Sequence, residues 1–232
     1  MAADDASKFV ASALAPVTAA LTLDSAVNLQ VFCSPPERRA ALAAAWVTVP
    51  GLDGEQQQRP LLHAVCAVTW PVRGPLLSAD ALAAERLLEL ELGEAADVDR
   101  MRAAERRVAV LACWLLRGGA DPLQRGGRAC SLKTAPMAAA AAGNLAVAEL
   151  LVLATGRLHG KEAQTRLLEA RDVHGNTLMH YVAAHANGAP TFLRLALPER
   201  PGQAAADCAA KNLAGETAAL LLIASMQAQR NA

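Results

Sequence analysis

The stretch R-D-V-H-G-N-T-L-M-H-Y-V-A-A, Arg171 to Ala184, decides how the chain is read. Its two histidines, His174 and His180, either carry chemistry or hold a turn and a helix together. Gly175 stands in the turn, where a positive φ costs glycine nothing. Thr177 follows at an N-cap position, its hydroxyl placed to satisfy a free backbone N–H of the first turn. Leu178, Tyr181, Val182 and Ala184 recur at the spacing of a short apolar helix face. His180 lies three residues after Thr177, over the same first turn, within reach of backbone groups and of the threonine itself. No partner at metal-ligand spacing accompanies it, so its expected role is structural. His174 is expected in solvent, where it can meet a partner.

Related stretches occur elsewhere in the chain. A-G-E-T-A-A-L-L-L-I-A (Ala214 to Ala224), L-K-T-A-P-M-A-A-A-A-A-G-N (Leu132 to Asn144) and, more faintly, R-P-L-L-H-A-V-C (Arg59 to Cys66) align with it. Thr177, Thr217, Thr134 and Pro60 then share one position, and His180, Leu220, Met137 and His63 share another three residues on. Gly143 ends the Thr134 helix as a left-handed C′ residue, and Gly215 repeats the turn glycine of Gly175. After the Thr134 helix, Val147, Leu150, Leu151 and Ala154 fall at i, i+3, i+4 and i+7, a core stripe. Val108, Leu111, Trp114 and Leu115 read as core packing in the same way, and L-L-R-G-G-A-D-P (Leu115 to Pro122) closes that helix.

These motifs resemble the ankyrin repeat family, whose units begin G-x-T-P-L-H-x-A-A and close on L-L-x-x-G-A-D. The resemblance covers roughly residues 59–226 and implies an all-α, helix-turn-helix solenoid of about four repeats over residues 59–232. In the family the histidine three residues after the threonine is a staple, which would be the role of His180 and His63. The family period is about 33 residues, whereas Thr134, Thr177 and Thr217 stand 43 and 40 apart and Pro60 precedes Thr134 by 74. A helical insertion near residues 70–107 accounts for the long interval. Another extension, R-L-H-G-K-E-A-Q-T-R-L-L (Arg157 to Leu168), precedes the third repeat. Residues 1–58 form an expected N-terminal helical cap, with helices at Ser7–Leu21 and Glu37–Trp46 split by S-P-P-E.

Composition agrees with a helical chain. Of 232 residues 55 are Ala, and aromatics make up only 3%, so thin side chains let helices approach closely. The net charge is zero. Residues 1–115 carry 10 basic and 14 acidic side chains, the remainder 12 and 8, an asymmetry too mild for a nucleic-acid face. Five scattered cysteines, Cys33, Cys66, Cys113, Cys130 and Cys208, form neither a C-x-x-C pair nor a disulfide framework, which points to a reducing compartment and a cytoplasmic location. No apolar run reaches the length of a membrane span. F-V-A-S-A-L-A-P-V-T-A-A-L-T-L (Phe9 to Leu23) is read as a first helix rather than a secretory leader, because Asp4 and Asp5 precede it.

Candidate chemistry is sparse. His63 and Cys66 sit at i and i+3, conceivable as a thiol–imidazole pair, though both fall where the repeat pattern buries side chains. The carboxylates Glu85, Glu89, Glu91, Glu94, Asp97 and Asp99 lack the glycine and alternating oxygens of a calcium loop. No phosphate loop, nucleophile elbow or H-E-x-x-H motif occurs, so no metal or cofactor is expected. The expectation is a non-catalytic monomer that binds another protein through turn tips and first helices. As an adaptor or inhibitor it would act in the cytoplasm, and as a secreted effector in a host cell. The expected turns are Gly119–Leu132, Gly156–His174 and Pro201–Leu213. Their candidate contacts are Arg125, Arg128, Lys133, Arg157, His159, Lys161, Asp172, His174 and Lys211, a mildly basic strip suited to an acidic protein surface. The alternatives are an enzyme using His63 and Cys66, or a periplasmic stabilising factor.

Overall fold

The computed structural model describes residues 43–44, 46–50, 56–67, 108–109, 112–113, 115–116, 118–127, 131–197 and 204–230. The expected helix Ser7–Leu21 and the insertion near 70–107 lie outside them. Most of the described residues are helical, which agrees with the all-α expectation at that level.

The exception is a short antiparallel hairpin, β1 (Trp46–Pro50) with β2 (Gln56–Pro60), in the register Trp46 opposite Pro60 and Pro50 opposite Gln56. The helix expected to reach Trp46 therefore stops before it, and the cap is not purely helical. Val47, Thr48 and Val49 are β-branched and Pro50 lacks an N–H, so this run favours a strand end over a helix.

Pro60 closes β2 and is also the N-cap of α1 (Leu61–Cys66), where its missing N–H is no loss. Further helices are α2 (Ala135–Ala141), α3 (Leu145–Glu169), α4 (Leu178–Ala183), α5 (Ala189–Ala196) and α6 (Ala218–Arg230). Between α1 and α2, Val108, Ala109, Ala112, Cys113, Leu115 and Leu116 are helical and buried. The short helices stand in a row, α1 against α2, α2 against α4 and α4 against α6, while α3 packs on α2 and α5 packs on both α3 and α4. In α2 the sequence A-P-M-A-A-A-A makes this possible, because alanines let α1, α3 and α4 close on one thin helix. The core fills with Met137, Leu150, Leu151, Leu167, Leu178 and Met179. The stripe of Val147, Leu150, Leu151 and Ala154 is buried as its spacing requires.

Two helix ends use glycine as expected. Gly143 (φ 80) donates to the Ala140 carbonyl at 2.9 Å and Asn144 to that of Ala139 at 2.9 Å, the paired bonds of a Schellman stop. Gly119 and Ala120 repeat those bonds to Leu116 and Leu115.

The second expected turn, Gly156–His174, is shorter in the structure. Residues 156–169 are not loop but helix, and Arg157, His159 and Lys161 stand on α3, which runs on to Glu169 with a break at Gly160 (φ 83, ψ 170). Leu, Arg, Lys, Glu, Gln and Ala dominate that segment and favour helix. Ala163, Leu167 and Leu168 give it a buried face. Gly156 is needed because a Cβ there would come 2.9 Å from Cδ of Gln164. Gln164 in turn accepts the Ala204 N–H at 3.0 Å. Across the outer helices, Arg194 of α5 grips Glu149 of α3 through two bonds of 2.7 Å, a bidentate pair that no local pattern announces.

Candidate partner-binding surface

Three turns precede α2, α4 and α6, and the base of each is bridged by a backbone bond. The Asp172 N–H donates to the Asn176 carbonyl at 3.0 Å and that of Asn212 to Glu216 at 3.0 Å. In the first turn, enlarged by three residues, Gly126 donates to Lys133 at 2.9 Å. Successive turns are also knitted together. The Val173 N–H donates to the Ser131 carbonyl at 3.0 Å, and the Leu213 N–H to that of His174 at 2.9 Å. The closing residue also organises its own loop. Asp172 Oδ1 accepts the N–H groups of His174 and Asn176 at 2.8 Å each, and Asn212 Oδ1 accepts those of Ala214 and Glu216 at 3.0 and 2.9 Å.

Asp172 is therefore a buried organiser of its own turn. Its Oδ2 takes the Tyr181 hydroxyl at 2.5 Å and the Asn176 amide at 3.3 Å. Burial pushes its carboxyl up, but the bonds from Tyr181, Asn176 and His174 outweigh burial and hold it below its usual range. Burial and the adjoining carboxylate push the Tyr181 hydroxyl up, so it stays a donor.

The expected staple is present at His180. Thr177 and His180 form a reciprocal capping box. Ring Nδ1 accepts the Thr177 N–H at 3.2 Å and lies 2.9 Å from the Thr177 hydroxyl, while Nε2 reaches the Glu216 carbonyl at 3.1 Å. A carbonyl only accepts and Nδ1 is already accepting, so the network assigns the ring proton to Nε2. His63 likewise reaches the Gln124 carbonyl at 2.7 Å. The three threonines differ in a way their shared position concealed. Thr217 Oγ1 accepts the Leu220 N–H at 3.3 Å, whereas the buried Oγ1 of Thr134 has no hydrogen-bond partner among the described residues. Met137 stands where His180 stands in the later helix, and its thioether offers that hydroxyl little.

Burial holds the His63 imidazole down to about 4, against the bond to Gln124, which raises it, and with Arg59, which lowers it further. Burial also pushes the Cys66 thiol far up and the Cys113 thiol up to about 12. A protonated thiol enclosed on every side is a poor nucleophile. His63 and Cys66 are thus core residues of α1, with the ring committed to the next turn.

The remaining candidates occupy two places. Arg125, His174 and Lys211 are exposed in the three turns, Lys133 is half-buried with Nζ 5.0 Å from the centre of the Tyr181 ring, and Arg171 joins two turns by donating to the carbonyls of Gly175 (3.1 Å) and Lys211 (2.6 Å). Arg128 lies outside the described residues. Arg157, His159 and Lys161 are exposed on α3 around its break. There His159 and Arg166 border an open cleft of about 390 Å³ whose other lining includes Asp121, Pro122, Leu123 and Ala163. The single expected strip is in fact a row of turns and a separate patch on a helix. Among the described residues no helix is long and apolar enough to cross a membrane. Comparison with known proteins found no matching family model, no matching curated protein and no matching solved structure.

Proposed function

We propose that the chain is an irregular ankyrin-like stack acting as a non-catalytic protein-binding module, and that it meets an acidic protein surface with its row of turns. The observation that carries this reading is the knitting of the turns through Val173 to Ser131 and Leu213 to His174. With these backbone groups bonded between units, the turns form one rigid edge, and rigidity lowers the entropy lost on binding. Arg125, His174 and Lys211 project from that edge, while Asp172 is buried and already bonded within its own turn. The thiol–imidazole alternative is disfavoured by the burial of His63 and Cys66 and by a thiol held protonated. Buried free thiols at Cys66 and Cys113 support a reducing compartment.

The test is affinity capture from the native cell with the full chain and with an Arg125→Glu, Lys211→Glu variant. Both side chains are exposed, so the variant should fold normally. A dominant acidic partner that the variant loses is the expected result. A partner retained at equal yield by the variant would sink the turn-edge reading.

A further inference from the structure

The turns before α4 and α6 carry the same pair of side chains at the same two positions. Arg171 and Lys211 stand six residues before the threonines Thr177 and Thr217, and Val173 and Leu213 stand four before them. The sequence repeats the pair once more, as Arg128 and Cys130 before Thr134. All four described members are exposed, Val173 at 40% and Leu213 at 80%. Their backbone is fixed, the Val173 N–H to Ser131 and the Leu213 N–H to His174. Leu213 Cγ also lies 3.2 Å from where a Cβ on Gly175 would stand. This leucine is thus laid on the backbone of the preceding turn while most of its surface stays in water.

The cations are held in place and left uncompensated. Arg171 Nη1 donates to the Lys211 carbonyl at 2.6 Å, which sets the guanidinium against the backbone of the next turn's own cation. The carboxylates beside them are engaged elsewhere. Both Asp172 oxygens accept bonds from His174, Asn176 and Tyr181, and Glu216 Oε2 accepts the Asn212 amide at 3.1 Å. Among the described residues neither Arg171 nor Lys211 forms an ion pair.

Taking the turn edge proposed above as the binding surface, we infer that these two turns seat an acidic amphipathic helix of the partner. Its aliphatic side chains lie against Val173 and Leu213, and its carboxylates against Arg171 and Lys211. Charge selects the occupant. Uncompensated cations attract carboxylates and reject a basic segment, and the aliphatic neighbour two residues away excludes water from each charge pair once it is covered. Spacing selects the form. α4 packs directly on α6, and packed helices stand about 8–10 Å apart, as do the turns that lead into them. Seven residues of a helix rise about 10.5 Å and return to nearly the same face, whereas same-face residues of a strand recur about every 6.7 Å. Because the turns are already bonded to one another, little binding free energy goes into ordering them. Two anchors of each kind make a contact smaller than the roughly 800 Å² per partner of a standard interface, so the dissociation constant is on the order of 100 µM.

The probe is a fluorescein-labelled helical peptide of about 15 residues, with leucine at every seventh position, glutamates flanking it and alanine elsewhere. It is titrated with the full chain and read by fluorescence anisotropy. Saturable binding near roughly 100 µM is expected. Changing the leucines to serine, changing the glutamates to glutamine, or scrambling the same residues should each weaken binding about tenfold. On the protein, Val173→Ser combined with Leu213→Ser should do the same, and so should Lys211→Glu. All three side chains are exposed, so the thermal midpoint should hold. No binding at about 1 mM chain would overturn the proposal, as would binding indifferent to the paired serines at 173 and 213 or to the peptide's leucines. If Lys211→Glu still released the captured partner in that case, the turn-edge reading would stand without it. Equal affinity for the scrambled peptide would exclude a helical partner.

Discussion

Substituting alanine for the turn glycines separates local conformation from contact between units. Gly175 and Gly215 occupy the same position of successive turns, with φ of 74° and 81°. An alanine in this left-handed region costs about 1 kcal/mol, and that term is common to both. Their surroundings differ. A Cβ at Gly215 meets nothing within 4 Å, whereas one at Gly175 comes 3.0 Å from the Leu213 nitrogen and 3.2 Å from its Cγ. That nitrogen already donates to the His174 carbonyl at 2.9 Å, so it has little freedom to retreat. Displacing the turn or breaking the bond adds roughly 1–2 kcal/mol. Gly215→Ala should therefore lower the unfolding free energy by about 1 kcal/mol and Gly175→Ala by about 2–3 kcal/mol, read from urea denaturation at 5 µM. Equal losses at the two sites would refute the inference that successive turns press on one another at Gly175.

Four other substitutions test the caps, the staples and the turns. Thr177→Val should cost about 1–2 kcal/mol by removing a bonded cap, while Thr134→Val should be neutral or stabilise by up to about 1 kcal/mol because its hydroxyl is buried with no partner among the described residues; chemical denaturation distinguishes them. His63 titrates near 4 in the folded chain and near 6.5 when unfolded, so the unfolded state binds the extra proton. Its contribution is complete above pH 6.5 and falls as the pH drops, by about 2 kcal/mol at pH 5 and about 3 kcal/mol at pH 4; His63→Gln should flatten that slope. Tyr181→Phe removes a bond to a buried carboxylate and should cost about 1.5–3 kcal/mol at neutral pH. Since Asp172 is depressed below 3.8 when folded, that penalty should shrink only as the pH falls below 3.8.

Local signals were readable wherever a residue acts through its own turn. Gly143, Gly175, Thr177 and the stripe from Val147 to Ala154 all do so, and each is where its spacing put it. Signals failed where the deciding partner is distant in sequence. The glycines at 156 and 160 suggested a loop, yet Gly156 makes room for Gln164 and Gly160 bends a helix whose second half is buried by Leu167 and Leu168. Asp172 looked like one more loop charge, because nothing in D-V-H-G-N reveals that Tyr181, nine residues on, will close over it. The pairing of Arg194 with Glu149 spans 45 residues and had no local trace. For the candidate surface the charges themselves were found, but their division between turns and α3 depended on a helix boundary that glycine content obscured.

Leu132 shows how tertiary contact overrides such rules. It holds the position of Gly175 and Gly215, but with φ of 53°, a conformation that L side chains rarely adopt. A local reading of the sequence would not place the same turn there. The strain is tolerated because the adjoining backbone is fixed from both sides. Lys133 accepts the closing bond from Gly126, and Ser131, itself left-handed at φ 56°, accepts the Val173 N–H of the next turn. Two left-handed non-glycine residues in succession cost on the order of 2–4 kcal/mol, more than either bond returns alone. The first turn thus depends on its neighbour to stay formed. Loosening the second turn at Gly175 should then expose the backbone amides of Gly126 and Leu132 to hydrogen exchange before those of α2. Protection lost in the reverse order would mean that the first turn holds its shape unaided.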